Sequence, residues 1–299
     1  EKKANSSGRR TALAKWIGSK ENPISARVMV NRIWQYHFGR GIVRSSSDFG
    51  YQGDIPTHPE LLDWLAIRFM ESGWDIKAMH TLIMSSEAYR RSSAPHDDCL
   101  TQDPLNNFFW RFDMRRLASE EVRDSVLNAC GTINLEMGGQ SVTPPVPDIV
   151  LAGSSVKGKG WGPCTPEEAN RRSVYVKVMR SMQMPLLINH DMADTDSTCP
   201  VRFTTTVPTQ ALNMLNGKFM NDSAKLFAER LREQAGNNIR KQIKNALQIV
   251  YARPVKENEI DLCLEAVNDL ISKHNLSEHE ALERFSLLAL NLNEFLYLD

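Results

Sequence analysis

Cysteine is scarce in this 299-residue chain, and no two cysteines lie close together. Cys99, Cys130, Cys164, Cys199 and Cys263 form no CxxC pair and no CxxCH, so the chain carries no haem-attachment motif. An odd, sparse set fits either a reduced compartment or one or two disulfides with a thiol left over. An excess of charge of either sign is also missing. Lys+Arg and Asp+Glu both total 36, and this balance gives no support to broad electrostatic binding of nucleic acid or of an anionic membrane. No apolar run approaches the roughly 20 residues that a membrane-spanning helix needs. The opening "EKKANSSGRRTALAKW" lacks the apolar h-region of a signal peptide. Because it begins at Glu1 without a Met, the chain is expected to be a piece of a longer polypeptide. No GxSxG elbow, P-loop or GxGxxG after a strand occurs.

What is present is a chain able to bury a core, with 41% hydrophobic and 24% charged residues. Arg10 to Ser19 reads as a short helix, broken at Asn22-Pro23, where Asn suits an N-cap and Pro the first helical position. Ile24, Val28, Val30, Ile33, Trp34, His37 and Phe38 then recur at helical spacing up to Gly39. A polar, Gly-rich loop follows to His58. Pro59 opens a helix with the stripe Leu61, Leu62, Leu65 and Phe69, and Asp75 caps the next. Helices are also expected from Asp103-Pro104 and from Ser119.

Residues 138–170 are rich in Gly and Pro and read as a long irregular excursion. In "RRSVYVKVMRS", Val174, Val176 and Val178 alternate with Tyr175, Lys177 and Met179, the best strand signal of the chain. From Pro208 onward the pattern is helical again. The expected architecture is therefore mostly α, a multi-helix globular domain with a small strand-containing middle segment and a long irregular loop. Its parts are a helical region 1–137, a loop-and-strand region 138–206 and a helical region 207–299, all within one domain.

Three groups of residues carry the chemistry to be weighed. His37, Asp48 and His58, with Asp54, surround the first loop and would form an acid/base or metal site if they converged. The alternative places His37 at a helix C-terminus and His58 at the cap of the Pro59 helix. Asp191, Asp194 and Asp196 supply oxygen ligands of the kind Ca²⁺ takes, although the segment lacks the EF-hand Gly and Glu, and Asp is common in turns. Arg171, Arg172 and Arg202, with Arg180, Arg115 and Arg116, can clamp a carboxylate or sulfate, or pair internally with Asp113, Glu167, Glu168 or Asp191. Trp34, Tyr36, Phe38, Trp64 and Trp74 offer a sugar platform, but helical spacing makes Trp34 and Trp64 core residues first.

The order of segments is specific. "NPISARVMVNRIWQYHFGRGIV", "SDFGYQGDIPTHPELLDWLA", "GWDIKAMHTLIMSSEAYRRSS", "DPLNNFFWRFDMRRLASEEVRDSVL", "NRRSVYVKVMRS", "CPVRFTTTVPTQALNMLN" and the terminal "LNLNEFLYLD" occur in sequence. In this the chain resembles the domain of unknown function fifteen-fifty-three, the planctomycete cytochrome-associated C-terminal domain, from about Arg10 to Asp299. The resemblance implies an exported, extracytoplasmic multidomain protein whose other domains are the partners. Any haem would sit upstream, with no cofactor of its own in this chain, and no catalytic residues carry over. It implies an accessory or interaction module; the alternative is a polysaccharide-binding or polysaccharide-processing domain, its cleft formed by residues 138–170 and the Asp/Arg cluster. Cys164 departs from the family pattern, where Ser is common, whereas a Cys in "TCPVR" is usual. Export would place thiols in an oxidising compartment, where Cys164 and Cys199 are either joined in a disulfide, closing a loop of roughly 35 residues worth about 3–4 kcal/mol, or two buried free thiols.

Overall fold

The computed structural model describes residues 7–152, 160–180 and 182–299. It divides into two compact units, Glu1–Arg115 together with Asp299, and Arg116–Leu298. Fifteen α-helices occur among the described residues, against a single two-stranded sheet of β1 (Arg115–Arg116) and β2 (Tyr297–Leu298). The protein is mostly α.

The first unit contains α1 (Arg9–Ile17), α2 (Pro23–Phe38), α3 (Pro59–Glu71), α4 (Ile76–Met84) and α5 (Asp97–Gln102). Local chemistry sets their ends. The Asn22 side chain accepts from the Ile24 and Ser25 amides, Pro23 takes the first position, and Gly39 ends α2 in the left-handed region at φ 78°. The Asp75 carboxylate accepts from the Ala78 amide at 3.0 Å and starts α4. Between α3 and α4, Gly73 and Trp74 both take positive φ, which turns the chain sharply. α2 packs on α3 and α4, burying Ala26, Val30, Ile33, Trp34 and Phe38 on one side and Leu62, Leu65, Ala66 and Phe69 on the other. Each fully buried side chain of this size contributes about 1.5–3 kcal/mol.

The loop after α2 is pinned rather than loose. Buried Asn31 donates to the Val43 carbonyl at 2.9 Å and accepts from the Val43 amide at 2.8 Å. Gly41 lies under this pair, where a Cβ would collide with the Val43 carbonyl and the Asn31 side chain. The helix expected from Asp103 is absent. The Asp103 carboxylate instead accepts from the Asn107 and Phe108 amides, and Asn106 and Phe109 adopt left-handed φ of 51° and 52°, which breaks any helical run.

The second unit contains α6 (Ser119–Cys130), α7 (Asp148–Ala152), α8 (Pro166–Ala169), α9 (Pro185–Asn189), α10 (Pro208–Asn216), α11 (Lys218–Ala235), α12 (Ile239–Tyr251), α13 (Glu257–His274), α14 (Glu278–Ala289) and α15 (Asn293–Leu296). α11 is the central strut. Met220, Ala224, Phe227, Ala228 and Leu231 recur at helical spacing and are buried, so one face of α11 meets α14 and α12 while α6 packs along it as well. That packing carries α6 into the second unit. Gly217 is extended at ψ 136° and separates α10 from α11.

The middle segment differs most from expectation. No strand forms at "RRSVYVKVMRS" among the described residues, and Ser181 lies outside them. Ser173–Tyr175 is a 3-10 turn, with isolated bridges Asn134↔Arg171, Val142↔Val176 and Met179↔Met182 around it. The alternation is broken because Val176 is buried while Val174 and Val178 face solvent. Part of the 138–170 excursion also joins the core: Val142 and Trp161 are buried, and the Trp161 indole donates to the Pro144 carbonyl at 2.8 Å. Residues 153–159 of that excursion lie outside the described residues.

Candidate functional site

The most unusual side-chain arrangement of the first unit sits where α2 meets α4. Trp34 stacks on Phe38 with ring centroids 4.3 Å apart, and Phe38 in turn meets Phe109, Phe112 and Tyr89 at 5.3–6.1 Å. This aromatic group is core, which is the chief role of "NRIWQYHFG"; Tyr36 points to solvent. On its edge His37, in the last turn of α2, places Nε2 2.8 Å from Nδ1 of His80 on α4. The imidazoles are inclined at 72°, and Tyr89 stands edge-on to His37 at 5.4 Å. Burial, the neighbouring His80 and the Arg115 guanidinium all push the His37 pKa below its ordinary value. Near neutral pH His37 is therefore an uncharged imidazole, despite its place at a helix C-terminus.

The other residues singled out around the first loop do not join this pair. The Asp48 carboxylate accepts from the Gly50 amide at 2.8 Å and shapes a turn. His58 occupies the N-cap position of α3 without making a side-chain cap bond; its Nδ1 meets Thr57 Oγ1 at 3.0 Å, and its ring lies beside Phe108 and Phe109. The Trp64 ring is half-exposed beside the Arg68 guanidinium rather than buried. His80 and Tyr89 were not among the sequence candidates. The signal for His80 was a histidine set among the apolar positions of "IKAMHTLIM", next to buried Met79.

In the second unit, the arginines and aspartates that suggested a ligand clamp are engaged with the protein itself. Arg116, whose side chain is 6% exposed, donates to Asp191 Oδ2 at 2.6 Å, to Gln210 Oε1 and the Thr205 carbonyl at 2.6 Å, and to the His190 carbonyl. Asp191 also accepts from the Thr205 amide and hydroxyl at 2.8 Å. Partial burial raises the Asp191 pKa, but the Thr205 and Arg116 hydrogen bonds outweigh it and hold the carboxyl below its ordinary value. Arg202 grips Glu120 bidentately at 2.5 and 3.0 Å. Buried Arg171 lies 4.0 Å over the Tyr175 ring and donates to the carbonyls of Gln140, Glu136 and Gly138, tying down the start of the excursion. Arg172 approaches Asp124 at 3.7 Å.

The three aspartates do not converge. Asp194 closes a turn by accepting from the Asp196 amide and the Ser197 hydroxyl, and Asp196 pairs with Arg180 at 3.1 Å. Among the described residues no group of three His, Cys, Asp or Glu is placed to hold a metal ion. The Cys164–Cys199 disulfide is not formed either, for all five cysteines are free thiols. Cys164 packs half-buried against the core of the second unit, whereas Cys199 is exposed and its thiol meets the Val201 carbonyl at 3.3 Å. No helix among the described residues is long and apolar enough to cross a membrane.

No curated protein and no solved structure matches the chain. One family model does, over residues 9–267, stopping short of the terminal "LNLNEFLYLD". With that match running from α1 into α13, the chain belongs to the family PSD1, protein of unknown function (DUF1553).

Proposed function

We propose that the chain is a helical accessory and interaction module of an exported, cytochrome-associated multidomain protein, and that it docks on other domains of the same polypeptide. The observation that carries this reading is α1. None of its nine residues is buried, and Leu13, Trp16 and Ile17 are 56%, 54% and 48% exposed. An isolated helix shorter than about 12–15 residues is marginal in water, so a nine-residue helix with no buried side chain gains little from the unit that bears it. Leu13, Trp16 and Ile17 share one side at i, i+3 and i+4, with Arg9 and Arg10 at the N-terminal end of the same side and no acidic residue in the helix. An apolar strip with a cationic end suits a protein surface that offers an apolar groove and carboxylates at its rim. The polysaccharide reading draws no comparable support, since Arg116 is engaged with Asp191 and Gln210, Arg202 with Glu120, and Arg171 with backbone carbonyls.

Amide hydrogen exchange tests the proposal directly. Residues 9–17 should exchange fast in the isolated chain and become protected in the longer polypeptide, with Trp16→Asp abolishing the protection. Equal exchange in both contexts overturns it.

A further inference from the structure

We propose that the His37–His80 contact is an acid-opened latch, which keeps α4 on the end of α2 while the pair carries at most one added proton and releases α4 when it takes a second. His37 Nε2 and His80 Nδ1 face each other at 2.8 Å, and a contact this short needs one hydrogen between the two nitrogens. One facing nitrogen donates and the other keeps its lone pair. A first added proton goes to the outward nitrogen of the donor ring, His37 Nδ1 or His80 Nε2, and leaves the contact in place as a charge-assisted bond. A second has only the facing lone pair left to take. Two N–H groups then point at each other across 2.8 Å, and the contact cannot survive.

The surroundings of the pair add to this repulsion. Arg115 bears on His37 with a positive charge, and among the described residues neither imidazole is ion-paired to a carboxylate. The third neighbour is the Tyr89 ring, edge-on to His37. The carbonyls that end α2 favour a cation there, but their partial charge of roughly −0.5 cannot offset two imidazoliums and a guanidinium. α4 is the element that yields. It has nine residues and buries Met79 and Ile83 alone, whereas α3 buries Leu62, Leu65, Ala66 and Phe69. An isolated helix shorter than about 12–15 residues is marginal in water, so release of α4 is also its unfolding. Met79 and Ile83 then reach solvent, and in mildly acid surroundings the first unit presents an apolar surface that it hides at neutral pH.

The test is amide hydrogen exchange of the whole chain at about pH 7.5 and about pH 5, with labelling times scaled for the intrinsic rate. Protection of α4, residues 76–84, should fall about tenfold or more at the lower pH while that of α3, residues 59–71, holds. In His80→Gln, whose amide can still meet His37 but takes no proton, α4 should stay protected at both values. His37→Gln is the second variant, and circular dichroism at neutral pH shows that each is folded. In the wild type, imidazole proton resonances followed through the same range should place the loss of protection at the second of two protonation steps. Protection of α4 that is unchanged at about pH 5 means that the rings part by turning outward with the helix in place, and it overturns the latch. So does a loss that is equal in folded His80→Gln, or one that is complete at the first protonation step.

Discussion

Replacing Asp191 by Ala should lower the stability of the second unit by about 3 kcal/mol. Asp191 is the carboxylate that meets the guanidinium of Arg116, whose side chain is 6% exposed. Removing one member of a buried ion pair typically costs about 3–5 kcal/mol, because the other charge stays behind without its counter-ion. Arg116 keeps three uncharged acceptors, at Thr205, Gln210 and His190, which places the loss at the low end of that range. Asp191 also holds a left-handed backbone at φ 62°, which Asn tolerates and Ala does not. Asp191→Asn should therefore lose about 1.5 kcal/mol, the charge assistance of the bond alone. For a unit of this size about 2–4 °C accompanies each kcal/mol, so calorimetry should report a drop of about 6–12 °C for Ala and about half that for Asn. Losses below about 0.5 kcal/mol in both variants would mean an ordinary surface aspartate and would refute the buried-pair reading. So would a rise of melting temperature with added Ca²⁺ in the wild type that disappears in Asp191→Asn, since a ligand at a hundred times its dissociation constant adds about 2.7 kcal/mol.

Phe38→Ala, at the centre of the aromatic group, should destabilise the first unit by about 3–5 kcal/mol, and urea denaturation followed through Trp34 fluorescence should show it; an unchanged midpoint would place Phe38 outside the core. Stability should fall as the pH drops below about 6.5. The folded pKa values of His37 and His190 are depressed, so the unfolded chain takes up those protons first, and His37→Asn should flatten the slope. A second loss is expected between about pH 4.5 and pH 2, where Glu259, held down to about 2 by Arg253 and the Lys256 amide, is finally protonated. Thiol alkylation without reductant should label Cys199 in the native protein and leave Cys130 untouched, because burial pushes the Cys130 thiol up to about 12; after unfolding all five should react, and any fewer would reveal a disulfide.

What could be read along the chain was whatever is decided within one helical turn. Asn22 and Asp75 cap their helices with their own side chains, and the apolar spacing of α2 and α11 names the buried faces, because caps and periodicity are local. Where a partner distant in sequence decides, the local signal fails. The alternation at 171–181 has the period of a strand, yet Asp124 takes the Ser173 amide, Arg123 takes the Arg171 carbonyl, and Val142 pairs on both sides of Val176, so no neighbour is left to complete a ladder. Asp103-Pro104 has the chemistry of a helix start, but its carboxylate reaches amides four and five residues on and closes a turn instead. The charged residues follow the same logic. Arg116 and Asp191 are 75 positions apart, and their pairing had to stay one option among several until α9 and α10 were placed. His37 and His80 are 43 apart. The apolar stripes of α2 and α4 imply that these helices pack, and in that packing Met79 and Ile83 turn inward, leaving His80 on the flank that α2 covers with its last turn. The histidine pair follows from two faces that were legible separately and a crossing between them that was not.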